Sequence, residues 1–345
     1  MRNVDLKKGA ALIITDRIDR KYFSGTDIAE GVLVLYDGGG AYFTDLRYFS
    51  AAKPQIEQNG MTAIAYLGLE SLEKFVKEKG FSSLGVDYSN ATIKEYNEYK
   101  TFGLEIFDSS SIIEKRKAVK DNAELSLIIK ACEIAQKAYH KAVSEVKEGV
   151  TEIELKDRIE SLMVEYGAIG PSFETIVAFG ANGAVPHHVT GNTKLEKNTP
   201  ILIDMGANVG GYFSDLTRTC YFGTPDKKFL DCYKAVLTAN VKAEDQITAG
   251  LTTDKADMIA REYLKGLKLD GYFTHSLGHG VGTRIHEYPT LSPKKSTALE
   301  EGTVFTVEPG VYFDGEFGIR IEDTVVIKNG KVERLFTDGK ELMIL

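Results

Sequence analysis

Two pairs of short apolar segments each bring two acids together. Ile201-Leu202-Ile203-Asp204-Met205-Gly206 and Tyr212-Phe213-Ser214-Asp215-Leu216-Thr217 flank Asn208-Val209-Gly210-Gly211. Both flanks read as strands, and the glycine-bearing stretch between them as a hairpin turn. A turn centred between Val209 and Gly210 predicts Asp204 directly opposite Asp215 on one face, with Cβ atoms about 5 Å apart. Glu308, in Phe305-Thr306-Val307-Glu308-Pro309, and Glu322, in Gly318-Ile319-Arg320-Ile321-Glu322, are likewise symmetric about Gly315. Like charges so placed repel, and a bare carboxylate in an apolar run is expensive. One such hairpin is ordinarily solvated or salt-bridged. Two built alike need more positive charge than Arg218 and Arg320 supply. A pair of divalent cations meets that need, and carboxylates with one imidazole suit Mn²⁺, Co²⁺, Fe²⁺ or Zn²⁺.

The histidines point the same way. There are six, and five lie between 187 and 286: His187-His188, His275, His279 and His286. In His275-Ser276-Leu277-Gly278-His279-Gly280-Val281-Gly282, glycines on both sides of His279 permit close backbone approach. His286-Glu287 follows, and Pro186-His187-His188 precedes the first acid strand. Three imidazole clusters are therefore expected to converge on the four acids, with His140 left as an ordinary helix residue.

The elements that must position these groups can be read around them. The 345 residues favour two domains, and the balance of 43% apolar to 27% charged residues fits a globular core. A net charge of −8 with no basic run argues against a nucleic-acid binder. Ala10–Ile14, the longest early apolar stretch, is too short for a signal-peptide core or a membrane span, so a cytoplasmic location is expected. Cys132, Cys220 and Cys232 are scattered and read as buried thiols. In the first third, strands are expected at 11–14, 31–35, 41–44 and 84–86 and helices at 71–78 and 93–100, an α/β unit. A long amphipathic helix follows residue 120, with Leu125, Ile128, Cys132, Ala135 and Tyr139 on one stripe. The boundary is drawn as 1–114 and 115–345. Glu148-Gly149-Val150-Thr151, with Thr151 and Glu154 forming a capping box, is echoed by Ala249-Gly250-Leu251-Thr252, so two copies of helix, helix, strands are expected.

The ordered motifs resemble one family closely. Ser172 through His188, Asp204-Met205-Gly206-Ala207, Ser214 through Thr219, His275 through Gly282, His286-Glu287, Val307-Glu308-Pro309-Gly310 and Arg320-Ile321-Glu322-Asp323 are similar to the prolidase and aminopeptidase P branch of the pita-bread metallopeptidases. Tyr22-Phe23-Ser24-Gly25 and Phe43 through Tyr48 resemble a creatinase-type N-terminal module. The resemblance implies an α/β (α+β) pita-bread catalytic domain behind a smaller α/β domain, and an exopeptidase that cleaves before proline. It implies Asp204, Asp215, His279, Glu308 and Glu322 as ligands of two divalent ions, manganese first among the choices. Asp215 and Glu322 would bridge the ions. Glu308 would shuttle a proton, His286 would donate to the oxyanion, His187 would contact the substrate carbonyl on the proline side, and Arg320 would brace the acids. The partner would be a proline-containing di- or oligopeptide, with no nucleic acid or membrane involved, and the assembly a homodimer. Phe179 stands where the family favours a small residue, which predicts an altered pocket wall. His275 and Arg284 are further candidates for holding substrate. Rival readings are a non-proline aminopeptidase on the same fold, a metal-free creatinase-like hydrolase, and a non-catalytic peptide-binding module. The complete five-ligand order, with steps of 11, 64, 29 and 14 residues, argues against the last two.

Overall fold

The computed structural model describes residues 2–345 and separates into two compact units, Met1–Arg116 and Lys117–Leu345. The first is built on β1 (Ala10–Ile14), β2 (Val32–Tyr36), β3 (Gly39–Thr44), β4 (Thr62–Ala65), β5 (Ser83–Val86) and β6 (Glu105–Asp108). Helices α1 (Arg17–Ser24), α2 (Leu46–Gln58), α3 (Leu69–Glu78), α4 (Ile93–Lys100) and α5 (Ser110–Ala118) accompany them. The sheet order is β4-β3-β2-β1-β5-β6, antiparallel along β1-β2-β3 and parallel elsewhere. Both faces are covered, which explains the unbroken apolar runs of β1 and β2. Ile13, Val34, Phe43 and Val86 bury in one cluster, while Leu12, Leu33, Leu35 and Tyr42 bury in the other. The β2-β3 turn is tighter than Asp37 to Gly40 suggests, because Tyr36 already pairs with Gly39. Helices α1 and α2 and strands β4 and β6 were not foreseen from local pattern.

The second unit opens with α6 (Asn122–Val143) and α7 (Glu152–Glu165), then β7 (Gly170–Pro171), β8 (Ile176–Phe179), β9 (Thr199–Met205), β10 (Ala207–Val209), β11 (Tyr212–Phe213) and β12 (Leu216–Phe222). Helices α8 (Lys227–Gln246) and α9 (Thr253–Gly266) follow, with β13 (Gly278–Gly280), β14 (Glu287–Leu291), β15 (Val304–Val307), β16 (Gly310–Phe313), β17 (Phe317–Arg320), β18 (Asp323–Lys328) and β19 (Lys331–Arg334). The expected repeat is present down to single hydrogen bonds. Gly149 N–H donates to Leu195 O, Leu195 N–H to Val150 O, and Glu152 N–H to Thr193 O. In the second copy Gly250 N–H donates to Leu299 O, Leu299 N–H to Leu251 O, and Thr253 N–H to Thr297 O. Each copy packs its two helices on its own strands, and two large cores result. One contains Ile128, Ile159, Ile203 and Leu216, the other Val236, Leu264, Phe305 and Ile319. Among the described residues, no helix is long and apolar enough to cross a membrane.

Strand register decides where the acids go. Around Glu308 and Glu322, Val307 pairs with Asp323 and Gly310 with Arg320, so the two glutamates share a register position as expected. The other hairpin differs. Its turn is Gly210-Gly211, at φ of 63° and 88°, a two-residue turn with both glycines left-handed. That moves the register by one residue on each strand, and Asp204 faces Thr217 rather than Asp215. Continuing the ladder would put Asp215 across from Gly206, two residues beyond Asp204 and on the same face. The aspartates are thus diagonal neighbours. Gly206 is required there, since a Cβ would fall 1.9 Å from Ser214 O.

Candidate metal centre and catalytic site

Strand ends and the loops beside them gather the acids. Asp204 lies near the end of β9 in an apolar run, and its Oδ2 accepts from Arg320 Nη2 at 2.5 Å. Its Oδ1 is buried and, among the described residues, finds no hydrogen-bond partner, as expected of a cation ligand. Asp215 precedes β12 and is 4% exposed; its backbone N–H donates to Thr324 Oγ1 at 3.1 Å, while the Thr324 hydroxyl donates to Asp215 O at 2.8 Å. Glu322 Oε2 accepts from Thr217 Oγ1 at 2.5 Å, and Glu308 Oε1 accepts from Thr306 Oγ1 at 3.0 Å.

His279 on β13 places Nε2 3.6 Å from Asp215 Oδ2 and 3.4 Å from Glu308 Oε1. Its Nδ1 is 3.1 Å from Gly280 O. That carbonyl takes the Nδ1–H, so the lone pair sits on Nε2 and faces the carboxylates, the tautomer a metal requires. One ligand atom each from Asp215, His279 and Glu322 lie within 4.8 Å of one another.

The electrostatics are those of a cluster short of positive charge. Burial lifts Asp215 well above the ordinary carboxylate range, and Glu322, Asp204 and Glu308 push it further. Burial does the same to Glu322, with Glu308 and Asp204 adding to it. Glu308 is pushed up to about 8 by burial and Asp204, against the pull of Arg320 and Thr306. His279 is pushed down to about 4 by burial and by His286, which keeps its ring neutral. A donor set of two buried and two part-buried carboxylates, one neutral imidazole and one orphaned oxygen fits divalent cations well.

Among the described residues, Arg320 is the guanidinium that enters the cluster. Besides Asp204, its Nε donates to Thr217 Oγ1 at 3.0 Å and its Nη1 to Tyr312 OH at 2.8 Å. Thr217 thereby links Arg320 to Glu322. Arg218 points away, donating to Asp323 Oδ1 at 2.8 Å and to the Glu322 carbonyl at 2.6 Å, so it braces the strand without neutralising the cluster.

Not every imidazole reaches the acids. His286 stacks edge-on to His279 with ring centres 4.3 Å apart, and His187 is exposed and close enough to depress His286 further after burial has done so. His188 instead bonds Glu152 Oε2 at 3.0 Å. His275 Nε2 is 2.9 Å from Tyr312 OH and its Nδ1 is 3.9 Å from Glu308 Oε2, so it joins through the Arg320–Tyr312 pair. His140 lies 3.6 Å from Asp338 on its helix. Phe179 also departs from expectation. It is 2% exposed in the first core, pairs with Ile201 and forms part of the packing rather than a pocket wall.

Some contributors have no local signature. Asn240, wholly buried on α8, donates through Nδ2 to Val307 O at 2.8 Å and to Ile321 O at 3.1 Å. Those carbonyls precede Glu308 and Glu322, so one amide sets the spacing of both. Lys340 Nζ donates to Asn240 Oδ1 and bridges to Asp323 at 2.7 Å and Glu244 at 2.6 Å. Only the polar residue on an apolar stripe of α8 hinted at this.

The family model described as metallopeptidase family M24 matches residues 126–329, and the Creatinase/Prolidase N-terminal domain matches residues 5–119. The chain belongs to metallopeptidase family M24. The M24 chain is 35% identical over 336 residues to the Xaa-Pro dipeptidase of Pyrococcus furiosus, covering 96% of this chain and 94% of that one. It is similar to the solved Xaa-Pro dipeptidase from Bacillus anthracis, with a TM-score of 0.92, 34% identity, and coverage of 97% and 95%. An X-Pro aminopeptidase from Thermotoga maritima superposes with a TM-score of 0.87 at 30% identity, covering 97% of each chain. These relatives share both units of the M24 chain.

Proposed function

We propose that this M24 chain is a dinuclear metal-dependent exopeptidase that hydrolyses the bond between an N-terminal residue and a following proline. The observation that carries this is the cluster of Asp215, Glu322 and Glu308 around His279 with Asp204 beside it, whose Oδ1 is unpartnered among the described residues. Asp204, Asp215, His279, Glu308 and Glu322 would hold two divalent ions, with Asp215 and Glu322 as the shared donors and manganese first among the candidates. When bound, such ions supply Lewis acidity to the scissile carbonyl and to the attacking water.

The chain's own groups do the rest. Glu308, beside His279 and next to Thr306 Oγ1, takes the proton from the attacking water and delivers it to the leaving nitrogen. His286 donates to the oxygen that gains charge, and His187 donates to the carbonyl on the proline side. Arg320 fixes Asp204 and, through Thr217, Glu322. Proline after the cleaved bond brings no amide N–H and a fixed φ, so a pocket that needs neither donor nor flexibility reads it. We propose the cytoplasm as its place and a homodimer as its form.

The test is hydrolysis of Ala-Pro and Ala-Pro-Ala with Mn²⁺ or Co²⁺ added, beside a chelated control and Met-Ala-Ser. Cleavage of the proline peptides that stops on chelation is expected. Full activity after complete metal removal overturns the mechanism, and cleavage of Met-Ala-Ser alone overturns the specificity. The ratio of the Ala-Pro to the Ala-Pro-Ala rate separates a dipeptidase from an aminopeptidase.

A further inference from the structure

Two buried glutamates outside the acid cluster each hold a loop that carries one of the histidines facing it. Glu152, in the first turn of α7, is 0% exposed. Its Oε1 accepts from Phe179 N–H and Asn182 Nδ2, both at 2.8 Å. Its Oε2 accepts from Gly191 N–H and lies opposite His188 Nε2, both at 3.0 Å. One carboxylate thus ties down both ends of the segment 179–191 and the immediate neighbour of His187.

Glu287 does the same for His286. Its side chain is 5% exposed, and its Oε1 accepts from Thr283 N–H at 3.0 Å, Thr283 Oγ1 at 2.8 Å and Arg284 N–H at 3.0 Å. Lys117 Nζ is 3.1 Å from Oε1 and Lys120 Nζ 3.5 Å from Oε2. Gly282 packs so close that a Cβ there would meet Glu287 Oε2 at 2.4 Å.

A buried carboxylate is costly, and packing alone is served as well by apolar side chains. What a carboxylate adds is up to four acceptor positions of fixed geometry, enough to collect amides from both sides of a loop. In each case the network includes a direct chain neighbour of the histidine, His188 beside His187 and Glu287 itself beside His286, and the histidine is exposed. We propose that Glu152 and Glu287 are the positioning residues of His187 and His286, each acting through its loop. This rests on the roles given to those histidines above.

Glu152→Gln and Glu287→Gln keep the shape but turn an NH₂ toward N–H donors. Zinc-loaded protein labelled at histidine gives one ring Cε1–H signal per histidine, and single His→Gln variants assign the six. Glu152→Gln is expected to shift or broaden the His187 signal and leave His286 and His279 in place, while Glu287→Gln does so for His286. Bound zinc is unchanged in both. On Ala-Pro, kcat falls by on the order of 10²-fold, the usual cost of misplacing a group by about 1 Å. Glu152→Gln/His187→Ala is then no slower than His187→Ala alone, and the Glu287 and His286 pair behaves likewise.

If both signals stay put, or the losses simply add, the proposal is overturned. Should Glu152→Gln not fold, His188→Gln, which touches one of the four bonds, carries the same two readouts. The spectra need no substrate. A protein that moves the signals but cleaves no proline peptide refutes the function and keeps the positioning, and the reverse result refutes the positioning alone.

Discussion

At the scale of single residues, the acids are what matter, because their charges have to be offset from outside the chain. Asp215→Asn and Glu322→Gln remove the two carboxylates that cluster with His279 within 4.8 Å. Each is expected to lose bound Mn²⁺ in elemental analysis after dialysis and to retain under about 0.1% of the activity, because in the proposed site each is a donor that both cations would share. Full metal content in either variant contradicts the ligand set. The pH dependence has a definite sign. Without cations the folded protein holds Glu308 at about 8, with Asp215 and Glu322 also raised by burial and mutual repulsion, against 4.5 for an ordinary glutamate. Across that interval these three acids bind more protons folded than unfolded, so their contribution to the stability of the metal-free protein falls as pH rises. Cations take the protons' place. The Tm gain on adding Mn²⁺ to chelated protein is therefore expected to be larger at pH 8 than at pH 5.5, measured by scanning calorimetry. An equal or smaller gain at pH 8 contradicts it.

Helices and strands decide how those residues meet, and here the limits of local pattern are visible. Glu308 and Glu322 were readable as partners because Gly315 marks the centre of their turn and the register runs unshifted from β16-β17 to β15-β18. Asp204 and Asp215 were placed one residue off on each strand, because Asn208-Val209-Gly210-Gly211 allows more than one two-residue turn and the pair of left-handed glycines selected the one a residue further on. The helix entries at Thr151 and Thr252 and the stripe of α6 were plain in the periodicity. Asn240 and Glu152 were not, since their partners lie 67 and 81, and 27 to 39, residues away. Asn240→Leu tests the element that spaces the two glutamates. It strips partners from two buried carbonyls, at about 1–3 kcal/mol each. The urea midpoint is expected to fall accordingly, and Mn²⁺ affinity by roughly tenfold in titration calorimetry, in keeping with the loss of a supporting contact. A variant that loses stability but binds Mn²⁺ as before shows that Asn240 braces the strands without setting the site.

Over the whole molecule, the catalytic unit is two copies of one design and the donors are shared between them. Asp204 and Asp215 come from the first copy, and His279, Glu308 and Glu322 from the second. Each core is drawn mostly from one copy, with Val281, Val304 and Val326 of the second reaching into the first's, so most packing within a copy can persist while the hydrogen bonds between copies loosen. Chelation is expected to speed backbone amide exchange at Asp215 and Glu322, whose N–H groups bond from one copy to the other, to Thr324 Oγ1 and Thr217 O, far more than at Ile159 or Leu264 within the copies. Uniform acceleration throughout, read by mass spectrometry, contradicts this. The first copy brings two of the donors and the second three, so cations held among all five would also act as a fastening between the two halves.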